Sequence, residues 1–169
     1  MIAVRNKVLA DRVRNQRGDH FGKCTDKDVD KGLEVEIAKT FYGWDNAFTP
    51  PRDRIEEYHG IDLWVNETPV QIKCNKDSKL YLEDNLFRNG EWMAGWVDVC
   101  EAYILLKAWT VDEVVYIQDY KVSELKQLIK ADRDFESSRK EDPIMFKFGG
   151  PGRWCKSKDS NSSFFVHNT

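Results

Sequence analysis

Four polar side chains in the first half of the chain have types and spacing suited to chemistry: Glu34, Asp62, Gln71 and Lys73. The last three lie in HGIDLWVNETPVQIKCNK, residues 59–76, where two short apolar runs flank a polar turn, Asn66-Glu67-Thr68. Alternate side chains of a strand share a face, so Gln71 and Lys73 point together while Val70 and Ile72 point the other way. On the preceding arm Ile61, Leu63 and Val65 are expected on one face, Asp62 and Trp64 on the other. A connecting loop of two residues sets Asp62 opposite Gln71, and one of four sets it opposite Lys73; a loop of three separates them. A carboxylate and an amide oxygen are hard ligands suited to Mg2+ or Mn2+. A neighbouring lysine can orient an attacking water and offset charge building on a phosphate. Together such groups suit the hydrolysis of a phosphodiester. The same three residues are also ordinary on the wet face of an edge hairpin.

One carboxylate is too little for firm metal binding, and the helix expected over residues 28–42 offers a second. Leu33, Ile37 and Phe41 recur there at four-residue steps with Ala38 alongside, Asp26 and Asp28 stand near the start as caps, and Gly43 supplies a stop. Glu34 shares the core-facing side, an awkward place for a charge without a partner. Glu36 takes its place if the helix is rotated. His59, beside glycine and near Asp62, is a further candidate for assisting with phosphate or water, or a plain exposed loop histidine.

The remaining pattern places these residues in a mixed α/β domain. Residues 3–16 read as a basic, mildly amphipathic helix, 102–109 as a buried strand, 113–117 as a second strand and 123–130 as a short helix capped by Ser123. Residues 52–59 are polar, and 76–96 carry no decisive periodicity. Ile144 to Phe148 and Phe164 to Val166 are apolar patches in a polar tail. The order of helix, hairpin, two strands and helix favours one central sheet. With 169 residues, 33% charged and 41% hydrophobic, the chain has the composition of a single globular domain, and it has no apolar run long enough to span a membrane. The four cysteines form no C-x-x-C pair, which argues against a structural zinc site and for reduced, cytoplasmic thiols packed as small apolar residues.

Glu34 on a first helix, then Asp62, then Gln71-Ile72-Lys73 after a turn, resembles the PD-(D/E)xK nuclease superfamily, which includes restriction enzymes, junction resolvases and some homing endonucleases. Gly32-Leu33-Glu34 with Ile37 resembles the first helix of its phage junction-resolving members. The resemblance covers residues 28–130 and implies a three-layer α/β/α, restriction-endonuclease-like core with a central mixed β-sheet. It further implies a magnesium-dependent endodeoxyribonuclease working as a homodimer or higher homo-oligomer. Residues 1–27 would be a basic N-terminal arm and 131–169 a C-terminal extension. In the family's scheme Glu34 and Asp62 bind the metal, the Ile72 backbone carbonyl adds a ligand, Gln71 stands at the second acidic position and Lys73 is the catalytic lysine. Two features depart from the pattern. No proline precedes Asp62, and the second acidic position is a glutamine, whose neutral oxygen holds metal more weakly. A DNA-binding or assembly protein that kept the fold but lost efficient metal binding is the alternative.

The formal net charge of −3 hides local clusters of positive charge. Arg12 and Arg14 lie in the basic N-terminal stretch. Lys76, Lys79, Arg88 and Asn89 are interleaved with Tyr81, Phe87, Trp92 and Trp96, a pattern suited to DNA contact through phosphates and base edges. Trp92 and Trp96, four residues apart, read instead as core.

Overall fold

A computed structural model describes residues 1–16, 31–74, 78, 80–83, 85–88, 91–136, 145–148 and 154–156. In chain order the elements are β1 (Ile2–Arg5), α1 (Lys7–Asn15), α2 (Lys31–Tyr42), β2 (Phe48–Thr49), α3 (Arg54–Tyr58), β3 (Leu63–Val65), β4 (Thr68–Cys74), β5 (Leu80–Glu83), β6 (Asn85–Arg88), β7 (Glu91–Ala94), α4 (Trp96–Val99), β8 (Ile104–Val111), β9 (Val114–Lys121), α5 (Val122–Glu136), β10 (Met145–Phe148) and β11 (Trp154–Lys156).

Six strands form a mixed sheet in the order β1-β9-β8-β4-β3-β2. The β4·β8 pair is parallel and every other pair in this sheet is antiparallel. Two tight turns set its registers. Asn66 (φ 54°) and Asp112 (φ 53°) adopt left-handed backbone, which short Asn and Asp side chains tolerate, and each begins a two-residue hairpin loop. Strand β8, ILLKAWTV, is buried along six consecutive residues from Leu105 to Thr110, as expected of a strand covered on both faces.

Buried side chains divide into two clusters. Leu9, Ala10 and Val13 of α1 and Leu33, Ile37 and Ala38 of α2 pack with Leu63, Val65, Val70, Ile72, Leu106, Ala108, Val115 and Ile117. Trp96 of α4 and Val122, Leu125 and Ile129 of α5 pack instead with Leu80, Leu82, Ile61, Cys100, Ala102 and Leu105. Neighbours Leu105 and Leu106 point to opposite clusters, so the helices cover both faces of the sheet.

Several expectations are corrected. Residues 1–16 are part of the core and not an arm: Ile2 and Val4 pair with Ile117 and Val115, and Leu9, Ala10 and Val13 are completely buried. The helix expected over 3–16 begins only at Lys7, because ladder pairing claims the β-branched start and Asn6 caps the helix, its Oδ1 accepting the Leu9 N–H at 3.0 Å. Residues 54–58 form a helical turn where only a polar stretch was read, since the Asp53 carboxylate accepts the Ile55 and Glu56 N–H groups at 2.9 Å. The undecided stretch 76–96 contains β5, β6, β7 and the start of α4. Strand β10 pairs with β5 and with β11, joining the tail to this stretch. The caps Asp26 and Asp28 and the patch Phe164–Val166 lie outside the described residues.

If α1 is a core element, Leu9→Ala lowers the unfolding free energy by about 2–5 kcal/mol. Urea denaturation checks this; a change within about 0.5 kcal/mol, the range of surface substitutions, is the result expected of an arm.

Candidate functional site

The hairpin adopts the two-residue loop. Leu63 pairs with Val70, Trp64 with Pro69 and Val65 with Thr68. The turn is held against the adjacent strand, with the Asn66 N–H donating to the Ala47 carbonyl at 2.7 Å and the Ala47 N–H to Asn66 Oδ1 at 2.9 Å. Strand β3 has three residues and β4 has seven, so β4 runs on after its partner has ended.

Asp62 sits at that divergence. Its N–H donates to the Val70 carbonyl at 3.0 Å and its Oδ2 accepts the Ile72 N–H at 2.7 Å. The aspartate therefore spans Gln71, the residue the register sets opposite it. A residue's N–H and C=O point to the same neighbouring strand, so the Ile72 carbonyl is aimed into the gap that Asp62 borders. Ile61 belongs to the cluster opposite to Leu63 and Val65, contrary to the alternation expected over 61–65. The strand starts only at Leu63, and Gly60 (φ 74°) turns the chain just before it.

Gln71 is 9% exposed. Its Oε1 accepts the Trp96 indole N–H at 2.5 Å and lies 3.8 Å from Cys100 Sγ. Gly60 packs on the same amide: a Cβ there would stand 3.0 Å from Gln71 Nε2 and 3.2 Å from Cys100 Sγ. Burial pushes the Cys100 thiol up, while the charges of Lys126 and Lys73 pull it down and that of Asp62 raises it further. Asp62 and Lys73 thus lie within electrostatic reach of Cys100, which is held as a neutral thiol. Trp96 and Cys100 hold the glutamine; Trp96 was read as core from its spacing, and its indole N–H, a donor that needs a partner when buried, is the signal for this second role.

Lys73 is half-buried and makes no hydrogen bond or ion pair with a described residue. Glu34 is half-buried on α2, whose Leu33, Ile37 and Ala38 pack against Leu63, Val65, Val70 and Ile72. Helix α2 thus lies on the hairpin from the face opposite to Gln71. Glu36 is ion-paired with Arg12. His59 Nδ1 lies 3.1 Å from Glu101 Oε2, and the His59 carbonyl accepts the Glu101 N–H at 2.8 Å, so this histidine ties the end of α3 to the link between α4 and β8.

The donor set has the chemistry of a hard divalent cation. Glu34, Asp62 and the Ile72 carbonyl offer oxygen alone, which fits Mg2+ or Mn2+. Gln71 differs from its expected role, because its oxygen faces Trp96 and Cys100. Among the described residues no three His, Cys, Asp or Glu side chains converge.

Of the expected DNA contacts, Lys76, Lys79 and Asn89 lie outside the described residues and Arg88 ends β6. Arg12 is engaged with Glu36. Arg14 donates to Asp11 at 2.8 Å and to the Asp112 carbonyl, which ties α1 to the β8–β9 turn. Comparison of the chain with protein-family models, curated proteins and solved structures found no match.

Removing the Asp62 side chain strands a backbone donor. Asp62→Ala is expected to cost about 1–3 kcal/mol of stability, and Asp62→Asn, which keeps an acceptor for the Ile72 N–H, distinctly less. Paired urea melts check this, and equal losses in the two variants would show that the carboxylate does not serve Ile72.

Proposed function

We propose that the chain is a metal-dependent DNA endonuclease of the PD-(D/E)xK type, with a three-layer α/β/α core, that hydrolyses phosphodiester bonds. The observation that carries the reading is the end of the hairpin, where Asp62 spans Gln71 and takes the Ile72 N–H at 2.7 Å. A carboxylate, a backbone carbonyl and Lys73 are thereby held at one divergence between strands. A glutamate-bearing helix packs on the same strand pair.

In this reading Glu34, Asp62 and the Ile72 carbonyl hold Mg2+ or Mn2+. When bound, such an ion polarises a phosphoryl oxygen and lowers the pKa of a coordinated water. Asp62 has two tasks, since one oxygen fixes the β4 backbone while the carboxylate charge serves the cation. Lys73, on the face of Gln71, orients the water and offsets charge building on the phosphate. Gln71 is a positioning residue. Its amide, held by Trp96 and Cys100 and pressed by Gly60, fixes β4 just before Ile72 and Lys73. Phosphate contacts from Lys76 and Lys79, base contacts from Arg88 and Asn89, and a symmetric pair of subunits cutting two strands complete the proposal.

A second reading, a DNA-binding protein with weak metal affinity on the same fold, is favoured by one observation: the Gln71 oxygen accepts a hydrogen bond from Trp96. A light donor set of two carboxylates binds the cation less firmly than three.

The test incubates supercoiled and branched DNA with Mg2+ or Mn2+ and the parent, Lys73→Ala or Asp62→Asn. The nuclease reading expects cutting by the parent and a loss of about a hundredfold or more in each variant, as for removal of a group that stabilises transition-state charge. DNA binding without cutting by any of the three supports the second reading. Neither binding nor cutting refutes both.

A further inference from the structure

Beside the hairpin, one exposed arginine is held in place by several anchors. Thr49 of β2 is in register with Trp64 of β3, and Pro50 and Pro51 then fix the backbone that leads to Arg52. The Arg52 guanidinium stands 4.4 Å over the Trp64 ring. Its Nε lies 3.7 Å from Glu56 Oε1, while Glu56 Oε2 accepts the Arg52 N–H at 2.8 Å and the Trp64 indole N–H at 2.9 Å. These two donors, the Arg52 N–H foremost, lower the Glu56 carboxyl from its ordinary value and keep it ionised at neutral pH. One carboxylate thus ties the backbone of Arg52, its side chain and the ring beneath it into a single unit. The arginine side chain is nevertheless 73% exposed, and its Nη groups make no hydrogen bond with a described residue.

An ion pair this exposed adds little to the stability of a fold. What the anchors do is remove the freedom that a long side chain otherwise loses when it meets a ligand. The ring takes one face of the guanidinium and Glu56 the Nε edge, so the planar fork of Nη donors is left for another partner. Such a fork matches two acceptors side by side, as in a carboxylate, a phosphate or the O6/N7 edge of guanine. Charge chooses among them. Glu56 already meets the charge of Arg52, and the exposed carboxylates Asp53 and Glu57 stand nearby in the chain against the exposed Arg54. An anion gains little there, whereas an uncharged pair of acceptors gives up nothing. Position agrees with this choice. Trp64 packs with the cluster of Trp96 and Cys100, on the Gln71 face, and is two residues from Asp62, about 7 Å along an extended chain. A base met by Arg52 therefore belongs to the same stretch of DNA as a phosphate at the proposed site.

We propose that Arg52 reads a guanine through the major groove, with Trp64 and Glu56 as the positioning residues that hold its fork. The inference rests on the DNA binding of the proposed function, which it deepens by naming a base that the protein selects.

The test selects short duplexes, randomised at their centre, for binding to the full chain with Ca2+, a hard cation that also takes oxygen ligands. The parent is expected to enrich guanine at one or more positions. Arg52→Lys keeps the charge but not the fork, and Arg52→Ala removes both. Each variant is expected to lose the guanine at one position and to bind the parent's preferred duplex about tenfold or more weakly. A duplex with that guanine replaced is expected to bind parent and variants alike. A parent without guanine preference, or variants that retain every preferred position, overturn the proposal. So does a loss that is equal for every duplex, is spared in Arg52→Lys and makes the salt dependence shallower, which is the behaviour of a phosphate contact. The two claims fail separately. Guanine selection without cutting in Mg2+ refutes the nuclease reading alone, and cutting without base preference refutes the role of Arg52 alone. A chain that binds no DNA refutes both.

Discussion

Strand β4 outruns its hairpin partner, and the Ile72 N–H must find an acceptor where β3 has ended. Asp62 supplies it, at 2.7 Å. An orphaned backbone donor in a half-buried strand costs about 1–3 kcal/mol, so the position requires an acceptor side chain whatever else it does. That requirement puts a carboxylate beside the Ile72 carbonyl, within the electrostatic reach of Cys100 that it shares with Lys73. The candidate chemistry is thus a by-product of how a short strand and a long one part company.

The two faces of the sheet divide the remaining work. On one, α1 and α2 seal an apolar cluster against the hairpin strands. On the other, α4 and α5 cover a face that is apolar at Leu105 and polar at Gln71, Lys73, Lys107 and Gln118. Two groups there have specific partners: Gln71 is held by Trp96 and Cys100, and the Cys100 carbonyl by Lys126 at 2.5 Å. Gly60 fits this packing because its φ of 74° and its missing Cβ leave room for the glutamine amide.

Sequence pattern alone located α2, the hairpin, β8 and β9, because each is a run whose apolar period decides its type. It left the hairpin loop open between two and four residues, and Asn66 closed that choice by accepting left-handed backbone and binding Ala47. The partners of Gln71 were illegible, since Trp96 and Cys100 lie 25 and 29 residues away and reach it only through the covering layer. Basic residues of the N-terminus suggested an arm because charge is conspicuous, yet Leu9, Ala10 and Val13 on the other side of that helix are completely buried. Arg12 and Arg14 show the same bias. Both are ordinary cations in a list of residues, and both bind neighbouring elements of the chain.

In the proposed reading Glu34 and Asp62, on different elements, serve one cation beside Ile72. Anomalous diffraction from a crystal grown with Mn2+ tests it most directly. An anomalous peak with oxygen of Glu34, Asp62 and the Ile72 carbonyl as ligands is expected, while Gln71 stays on Trp96. A well-ordered hairpin with no peak there, or a peak that Glu34 does not reach, would contradict it.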